Sequence, residues 1–510
     1  MTRTFASLIS LACACAISGC VSSRTFKFPP DAETWRPPVE VRASVGDAID
    51  DEPRKSPPPL VATRTRPIGM PVEVRLTNGI RAILLQRRDF PAVSAVLTLD
   101  RGAAASAPGA VATYARAMFG KSDEYDSGEA FSYLQFVGAF VGASVDEESM
   151  MMSVTALSPF FGSAMSRAAP MFVAPSLDSD SVEWAHRAIQ ARRAAAREDP
   201  FLIADEALGR ALFPSPHPWG VPVDGESSTF RRAKKGTELR ERVELRKLDE
   251  AMERFRDGQV VAERITVVCV GDMPVDSMER ILERDLAKAP TRASAPTPAI
   301  GAVTPRPGEP ILIVDRPGAP QSNLAIGWAG PRATDDDVVP VEVLAAATGS
   351  DLGSRLNVIV RRDYGATYGV RTTVHAGRDI GTITIRAAIE TDRTAESVRR
   401  LLVEIERTRA EEMTPDALAS GKLKAHYALE QGTAHGLARL FAHAIARGRS
   451  VASVVKHDAD VERVTAAEVR AAANKYLWRD AMRLVIVGDA RRIAEPIRAL
   501  GISDVVIYKP

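Results

Sequence analysis

The sequence predicts an α+β protein made of two tandem homologous halves, each a mostly antiparallel sheet with helices packed on one face. Two sequence landmarks recur in the same order about 220 residues apart, which indicates an internal duplication. Within each copy, stretches typical of strands are grouped apart from stretches typical of helices, and this grouping favours an α+β architecture. A proline-rich stretch separates the two copies.

Two pairs of segments carry the repeat. The stretches ITVVCVGDMPVDSMERIL (265–282) and MRLVIVGDARRIAEPIRAL (482–500) are each typical of a buried strand that ends in Val-Gly-Asp and is followed by a helix. The stretches VGAFVGASVDEESMMMSV (137–154) and YGATYGVRTTVHAGRDIGTITI (364–385) share Gly-Ala-x-x-Gly before alternating strand patterns. Two matched landmarks in one order are stronger evidence of duplication than either alone.

Local patterns predict the elements of each half. The stretch VEVRLTNGIRAILLQRRDFPAVSAVLTL (72–99) has an Asn-Gly turn between alternating runs, which predicts a hairpin. Helical periodicity with a polar face predicts helices over SVEWAHRAIQARRAAARE (181–198) and AESVRRLLVEIERTRAEE (395–412). The mixed charges of residues 233–255 indicate an exposed helical surface, which could equally be a partner surface.

Composition sets the domain boundaries, because a chain of 510 residues exceeds what one core can organise. We expect a signal peptide (1–19), a proline-rich tether (20–68), an N-terminal domain (69–288), a proline-rich linker (289–310) and a C-terminal domain (311–510).

The N-terminus predicts export and a lipid anchor. A charged start at Arg3, a short apolar run and small residues before Cys20 form a secretory signal pattern. Ile-Ser-Gly-Cys also resembles a bacterial lipobox, which implies an acylated Cys20. Val21 rather than an acid follows, which by analogy favours an outer-membrane lipoprotein that faces the periplasm. The alternative is an ordinary signal peptide with an incidental cysteine.

The charge balance and the cysteine count exclude other classes. Lys and Arg number 66 against 65 Asp and Glu, and this neutral balance argues against nucleic acid as a partner. Cys13 and Cys15 leave with the signal peptide, so Cys20 and Cys269 remain and no disulfide framework is expected. Cys269 lies in an apolar run and is expected to be a packed, inert thiol.

Motifs along the folded body resemble one protein family. The stretch GSDLGSRLNVIVRRDYGATYGV (349–370) contains Ser-Arg-Leu, then Arg, then Gly-x-x-Tyr, and FPSPHPWGVPVDG (213–225) contains a His-Pro-aromatic-Gly loop. With the duplication and the two Val-Gly-Asp strand ends, this pattern resembles the M16 family of zinc metallopeptidases, the insulinase and mitochondrial-processing-peptidase group. The resemblance covers about residues 70–510.

The resemblance also implies where a zinc site would lie. The family carries His-x-x-Glu-His on a helix, where one turn brings both imidazoles to one face and the Glu polarises the zinc-bound water. Laid on GAVATYARAMFGKS (109–122), this motif places Ala112 and Arg116 at the histidines. Ala115 falls at the catalytic Glu, and Arg192 falls at or near the distal ligand. Alanine and guanidinium cannot ligate zinc, so we expect no catalytic residue, metal or cofactor in this chain, and zinc only in a partner.

Other metal-binding arrangements are weak. No His-x-x-Glu-His or His-Glu-x-x-His motif occurs in the chain. Glu183 and His186 stand one helical turn apart and could share a metal, although a solvated helix face is the simpler interpretation. His217 is expected to be a structural turn residue, while His375 and His457 are isolated and uninformative.

The resemblance also implies a pair of substrate-binding residues in this chain. In two-chain M16 enzymes the zinc-free subunit supplies an Arg and a Tyr that help to hold the substrate, and the matching positions are Arg361 and Tyr368. Their alternative roles are an ion pair of Arg361 with an internal acid and a strand cap by Tyr368. Arg362 stands where the family usually has an acid, and Arg355 is expected to anchor a helix start.

The leading hypothesis is a zinc-free lipoprotein subunit that binds unfolded peptides and forms a heterodimeric peptidase with a zinc-bearing M16 subunit. A second hypothesis is a non-enzymatic peptide-binding or scaffold lipoprotein. A third is a metallopeptidase active by itself through a site such as Glu183 and His186.

Overall fold

A computed structural model describes residues 67–120, 127–226, 238–296, 300–301, 311–427 and 430–510. The signal peptide, Cys20, nearly all of the tether and most of the predicted linker lie outside these residues. Thr63–Pro510 forms one compact unit that contains both halves, while the domain boundaries themselves stay a prediction.

The first half contains one sheet and seven described helices. Its strands are β1 (Val72–Arg75), β2 (Arg81–Gln86), β3 (Ala92–Leu99), β4 (Phe140–Val145), β5 (Met150–Leu157) and β6 (Ile265–Gly271). Its helices are α1 (Ala110–Ala117), α2 (Ser127–Phe136), α3 (Ser158–Val173), α4 (Ser179–Ala196), α5 (Pro200–Leu212), α6 (Glu238–Gln259) and α7 (Val275–Leu286).

The second half repeats most of this order, except that its outer strand, Val505–Tyr508, comes after the last helix and not at the start. Its strands are β7 (Ile311–Asp315), β8 (Gln321–Gly330), β9 (Thr367–Ala376), β10 (Gly381–Glu390), β11 (Arg483–Gly488) and β12 (Val505–Tyr508). Its helices are α8 (Val338–Gly349), α9 (Arg355–Asn357), α10 (Thr394–Ala410), α11 (Pro415–Ala425), α12 (Ala434–Ala446), α13 (Val451–Arg463), α14 (Ala466–Tyr476) and α15 (Ala490–Arg498). A π-helical turn, Val358–Arg362, follows α9.

The two sheets match in five of their six strands and differ at one edge, where β1 is antiparallel to β2 but β12 is parallel to β7. Their strand orders are β1-β2-β6-β3-β5-β4 and β12-β7-β11-β8-β10-β9. Pairing is antiparallel except for β2 with β6 in the first sheet and for β7 with β11 and β12 in the second. The predicted fold class, two homologous α+β halves with mostly antiparallel sheets, is therefore confirmed.

The repeated landmarks occupy equivalent places. The two Val-Gly-Asp sequences end β6 and β11, which are the third strands of their sheets. The first glycines of the two Gly-Ala-x-x-Gly motifs precede the edge strands β4 and β9. Gly138 has φ of 65° and Gly365 has φ of 67°, so both adopt the left-handed conformation that disfavours any residue with a Cβ.

One face of each sheet packs on helices of its own half. In the first sheet alternate residues such as Ala95 and Leu97 join α1 and α3 in one core. In the second sheet Leu324, Ile326 and Trp328 form the corresponding core with α8 and α10. This alternation is what a strand with one helix-covered face requires.

The opposite faces are covered by an exchange of helices between the halves. Helix α12 of the second half packs on the first sheet, where Val96, Val268 and Val270 point away from their own helices. Helix α5 of the first half packs in the same way on β8 and β11 of the second sheet. Both faces of β6 and β11 are therefore buried, which explains their nearly continuous apolar sequences.

Two further predictions can be compared with the structure. Residues 238–255 of the charged segment lie in α6, whose Ala251, Met252 and Phe255 are buried while Arg246 and Glu250 pair on its exposed side at 3.2 Å. Residues 233–237 of that segment lie outside the described residues. Cys269 is fully buried, and burial raises the pKa of its thiol, so it is the packed and inert residue that was expected. Within the described part of the chain, no helix combines the length and apolar character needed to cross a membrane.

Candidate functional site

A large cavity of about 1590 Å³ brings together elements of both halves. Helices α1, α4 and α5 and the edge strand β4 line it from the first half, and β9 and β10 line it from the second. Its wall is mixed, with aromatic side chains such as Trp219 beside charged ones. Size and mixed lining are typical of a site that encloses a ligand larger than a single amino acid.

Helix α1 supplies three of the predicted positions to this cavity. Ala112, Ala115 and Arg116 stand three and four residues apart, so they lie on one helical face, and all three line the cavity. Ala112 and Ala115 are each only 5% exposed. On another face, Tyr114 packs edge-on against Phe255 with ring centroids 5.7 Å apart, which fixes the rotation of α1.

Helix α4 supplies the fourth position. Arg192 lines the cavity and forms an ion pair with Asp224 at 3.0 Å. Its neighbour Arg193 donates from Nε to the backbone carbonyl of Asp224. A Cβ at Gly109 or at Gly225 would come within 2.4 Å of the Arg193 guanidinium, so these glycines allow the α1 start and the 221–225 loop to close on α4.

The four positions that the resemblance assigns to zinc and catalysis therefore lie on the wall of one cavity. Their side chains do not fit the metal, because alanine has no donor atom and guanidinium stays protonated. Within the described ranges, no group of three or more His, Cys, Asp or Glu side chains is placed to hold a metal ion. The assignment of these four positions to a lost zinc site stays a prediction.

The alternative metal-binding pair on α4, Glu183 and His186, does not form a common site. Glu183 pairs with Arg187 at 3.4 Å along the exposed helix face. His186 is buried and its Nε2 lies 2.7 Å from Oδ1 of Asp249, a contact that fixes α6 on α4. The two side chains thus have separate partners, which argues against a shared metal; the solvated helix face fits Glu183 but not His186, which is buried against α6.

His217 has the structural contacts expected of a turn residue. Its Nδ1 accepts the backbone N–H of Trp219 at 3.2 Å, and its ring stacks on Phe213 with centroids 5.0 Å apart. Burial lowers the pKa of His217, which favours the neutral ring that this cap needs.

The second-half wall is polar and includes a histidine that the sequence did not single out. His375 of β9 lies opposite Thr382 of β10, and both line the cavity. The His375 ring meets Trp219 edge-on with centroids 5.4 Å apart. Four residues further along β10, Arg386 bridges the two halves by an ion pair with Asp205 at 2.6 Å.

Two histidines, His375 of β9 and His443 of α12, are held neutral where the two halves meet. For both rings, burial first and then the nearby Arg447 guanidinium lower the pKa to about 4. Asp146, which lies 3.7 Å from Arg447, opposes this shift only in part. The folded protein thus binds fewer protons here than the unfolded chain between pH 4 and the ordinary histidine pKa of about 6.5.

This difference predicts acid destabilisation. Because the folded-state pKa is lowered, the neutral histidine contributes its full stabilisation above about pH 6.5. This contribution to the free energy of unfolding is lost as pH falls towards 4. Each such histidine should lower the free energy of unfolding by about 2 kcal/mol between pH 7 and pH 5. Urea unfolding at the two pH values measures this decrease. The variant His443→Gln should show a smaller decrease than the wild type, and an identical decrease would contradict this assignment.

His457 contributes with the opposite sign. Burial alone would lower its pKa, but hydrogen bonds with Asp458 and Glu342 raise it overall. Its stabilising contribution is present at low pH and is lost as pH rises through the folded-state pKa. The pH dependence of the wild-type unfolding free energy contains both effects. The difference between the wild type and His443→Gln gives the contribution of His443.

Tyr368 lies in β9 at the edge of the second sheet, Arg361 lies in the π-helical turn that packs against β9, and neither lines the large cavity. Arg361 belongs to the π-helical turn, a geometry found often at functional sites. Asn357 holds this turn against β9, because its side chain donates to the Val370 carbonyl and accepts the Val370 N–H, both at 2.7 Å. The edge position of β9 leaves the Tyr368 side chain 86% exposed.

The structural alternatives for this pair find no support. Among the residues that the structure describes, the Arg361 side chain has no hydrogen-bond or ion-pair partner, and the Tyr368 hydroxyl forms no strand cap. Arg362, by contrast, pairs with Asp363 at 3.0 Å. Arg355 forms a buried ion pair with Glu404 at 2.5 Å, which is the structural anchor expected of it.

Residues 250–424 match the family described as Peptidase M16 inactive domain. Uncharacterized zinc proteases of Mycobacterium bovis and Mycobacterium tuberculosis are each 25% identical to the chain over 337 residues, which are 63% of this chain and 71% of each relative.

Solved structures share the fold at low sequence identity. A peptidase M16 inactive domain from Pseudomonas fluorescens has a TM-score of 0.70 and 18% identity, covering 82% of this chain and 98% of its own. A protease from Helicobacter pylori has a TM-score of 0.72 and 14% identity, covering 82% and 99%. A chain of complex III2 from Candida albicans has a TM-score of 0.67 and 15% identity, covering 85% and 99%. The chain therefore has the fold of M16-like two-domain peptidases, and residues 250–424 match the M16 inactive-domain family.

Proposed function

We propose that this protein is the zinc-free, lipid-anchored subunit of a two-subunit M16-type peptidase in the cell envelope. It binds unfolded peptides and pairs with a zinc-bearing M16 subunit, so that the two together form a chamber facing the periplasm. One observation carries the proposal: Ala112, Ala115, Arg116 and Arg192 gather on the wall of the large cavity, and none can hold zinc.

The cavity supports peptide binding because a free sheet edge borders it. Strand β4 is the last strand of the first sheet, it pairs only with β5 among the described strands, and Val141 to Val145 line the cavity. Unpaired N–H and C=O groups at such an edge can form backbone hydrogen bonds with an extended peptide. Backbone pairing accepts many sequences, which suits unfolded substrates.

The edge site on β9 supports a role in a heterodimer. Arg361 and Tyr368 lie on neighbouring elements outside the large cavity, with side-chain donors that no described residue uses. A guanidinium can donate two directed hydrogen bonds to a peptide carbonyl or carboxylate, and a phenol can donate to a carbonyl or a developing oxyanion. These donors assist cleavage only if a partner brings zinc and water to the same peptide bond.

The second candidate function is a peptide-binding or scaffold lipoprotein that takes no part in hydrolysis. The cavity and its free edge strand favour this role as well, because backbone pairing needs neither metal nor partner. The two functions differ in whether a zinc-bearing subunit binds. The anchor at Cys20 and the outer-membrane location belong equally to both proposals.

Purification with and without a zinc-bearing M16 protein from the same genome tests the pairing. We expect the two chains to elute together, and the mixture to cleave an unstructured peptide with zinc confined to the partner. The chain alone should not cleave that peptide. Absence of a complex at micromolar concentrations would contradict the heterodimer and leave the scaffold role.

A further inference from the structure

Arg116 of α1 lies on the wall of the large cavity. Arg116 is partly buried, lines the cavity, and stands on the same face of α1 as the two alanines. Because Ala112 and Ala115 end at Cβ, the space in front of them stays part of the cavity. The guanidinium therefore borders open volume rather than packed side chains.

The other cavity guanidiniums are already engaged. Arg192 pairs with the Asp224 carboxylate, Arg193 donates to the Asp224 carbonyl, and Arg386 pairs with Asp205. Arg116 has neither an ion pair nor a side-chain hydrogen bond among the described residues. A partly buried guanidinium has lost part of its hydration, so it gains more from an anionic ligand than an exposed one would.

The carboxylates of the wall outnumber its guanidiniums, but most of them have partners. Asp199 accepts backbone N–H groups at the start of α5, at 2.8 Å from Phe201, and Asp178 caps α4 in the same way. Glu206 pairs with Arg210 at 3.0 Å. The backbone hydrogen bonds hold Asp178 and Asp199 in place but leave both carboxylates ionised, so the wall keeps an excess of negative side chains. A ligand carboxylate would therefore be attracted by direct contact with the Arg116 guanidinium and not by the field of the whole wall.

We propose that Arg116 anchors a peptide carboxylate in this cavity, either an Asp or Glu side chain or a free C-terminus. This inference rests on the peptide-holding role proposed above and does not depend on a zinc-bearing partner. Two N–H groups of the guanidinium face two carboxylate oxygens in the bidentate geometry that arginine favours. The position that corresponds to a zinc ligand thus binds an anion of the substrate.

Binding to the isolated full-length protein in detergent tests the anchor. Four peptides of one unstructured sequence are compared: neutral with an amidated C-terminus, one internal Glu, a free C-terminus, and one internal Lys. We expect at least one carboxylate peptide to bind about 10- to 100-fold more tightly than the neutral peptide at low salt. The Glu and free-terminus arms identify which carboxylate is recognised.

Variants separate the anchor from general electrostatics. Arg116→Ala and Arg116→Gln should abolish the preference while the neutral peptide binds within about twofold of wild type. Arg192→Ala removes the same charge from the same wall and should retain the preference. Equal binding of neutral and acidic peptides, or a preference that survives Arg116→Ala, overturns the anchor alone. Tighter binding of the Lys peptide also overturns the anchor, whereas no binding of any peptide overturns the peptide-holding role with it.

Discussion

Replacing Phe441 with alanine is expected to lower the free energy of unfolding by about 3–5 kcal/mol, measured by urea denaturation. Phe441 is fully buried in the cluster that α12 forms on the first sheet. Its removal leaves a cavity in the contact by which the second half covers the first, in addition to the lost apolar transfer energy. The exchange of α5 and α12 should also make both halves unfold in one transition.

Phe136→Ala provides a matched control, because Phe136 is 87% exposed. The same truncation at an exposed position should change the unfolding free energy by no more than about 0.5 kcal/mol. A similarly small effect at Phe441, or separate transitions for the two halves, would contradict the exchanged-helix interface as the source of stability.

Arg361→Ala and Tyr368→Phe are each expected to lower kcat/KM of the two-subunit mixture about 100-fold, the order seen when a directed donor to a reacting carbonyl is lost. Neither change should lower the stability of this chain, because the Arg361 side chain has no partner among the described residues and Tyr368 is exposed. Steady-state cleavage of an unstructured peptide, with unfolding curves for each variant, measures both.

Arg362→Ala is the control for this pair. Arg362 is the same residue type one position along, and its exposed side chain already pairs with Asp363. Its loss should leave peptide cleavage within about twofold, since exposed ion pairs contribute little. Unchanged activity of the Arg361 and Tyr368 variants, or an equal decrease for Arg362→Ala, would contradict the donated-residue role.

Much of the fold follows from local patterns in the sequence. Strand alternation, the Asn78-Gly79 turn and the repeated Val-Gly-Asp ends each depend on neighbours in the chain, and all appear where they were expected. The exchange of α5 and α12 was not predicted. An amphipathic pattern indicates that one face of a helix is buried, but it does not indicate which sheet covers that face.

The candidate site, like the fold, could be predicted from the sequence only in part. Ala112, Ala115 and Arg116 share a helical face because of their spacing, so their grouping could be predicted from the sequence. His375 lines the same cavity from β9, yet an isolated histidine in an alternating strand carries no signal of this. The ion pair of Arg192 with Asp224 depends on how a loop returns to α4, which local sequence does not specify.

Zinc content of the isolated protein, measured by elemental analysis after equilibration with zinc and removal of loosely bound metal, tests most directly whether this chain is a zinc-free subunit. Because alanine and arginine occupy all four positions on the cavity wall, we expect far less than one equivalent and no cleavage of an unstructured peptide. One equivalent of tightly bound zinc, with peptide cleavage that a chelator abolishes, would contradict this conclusion.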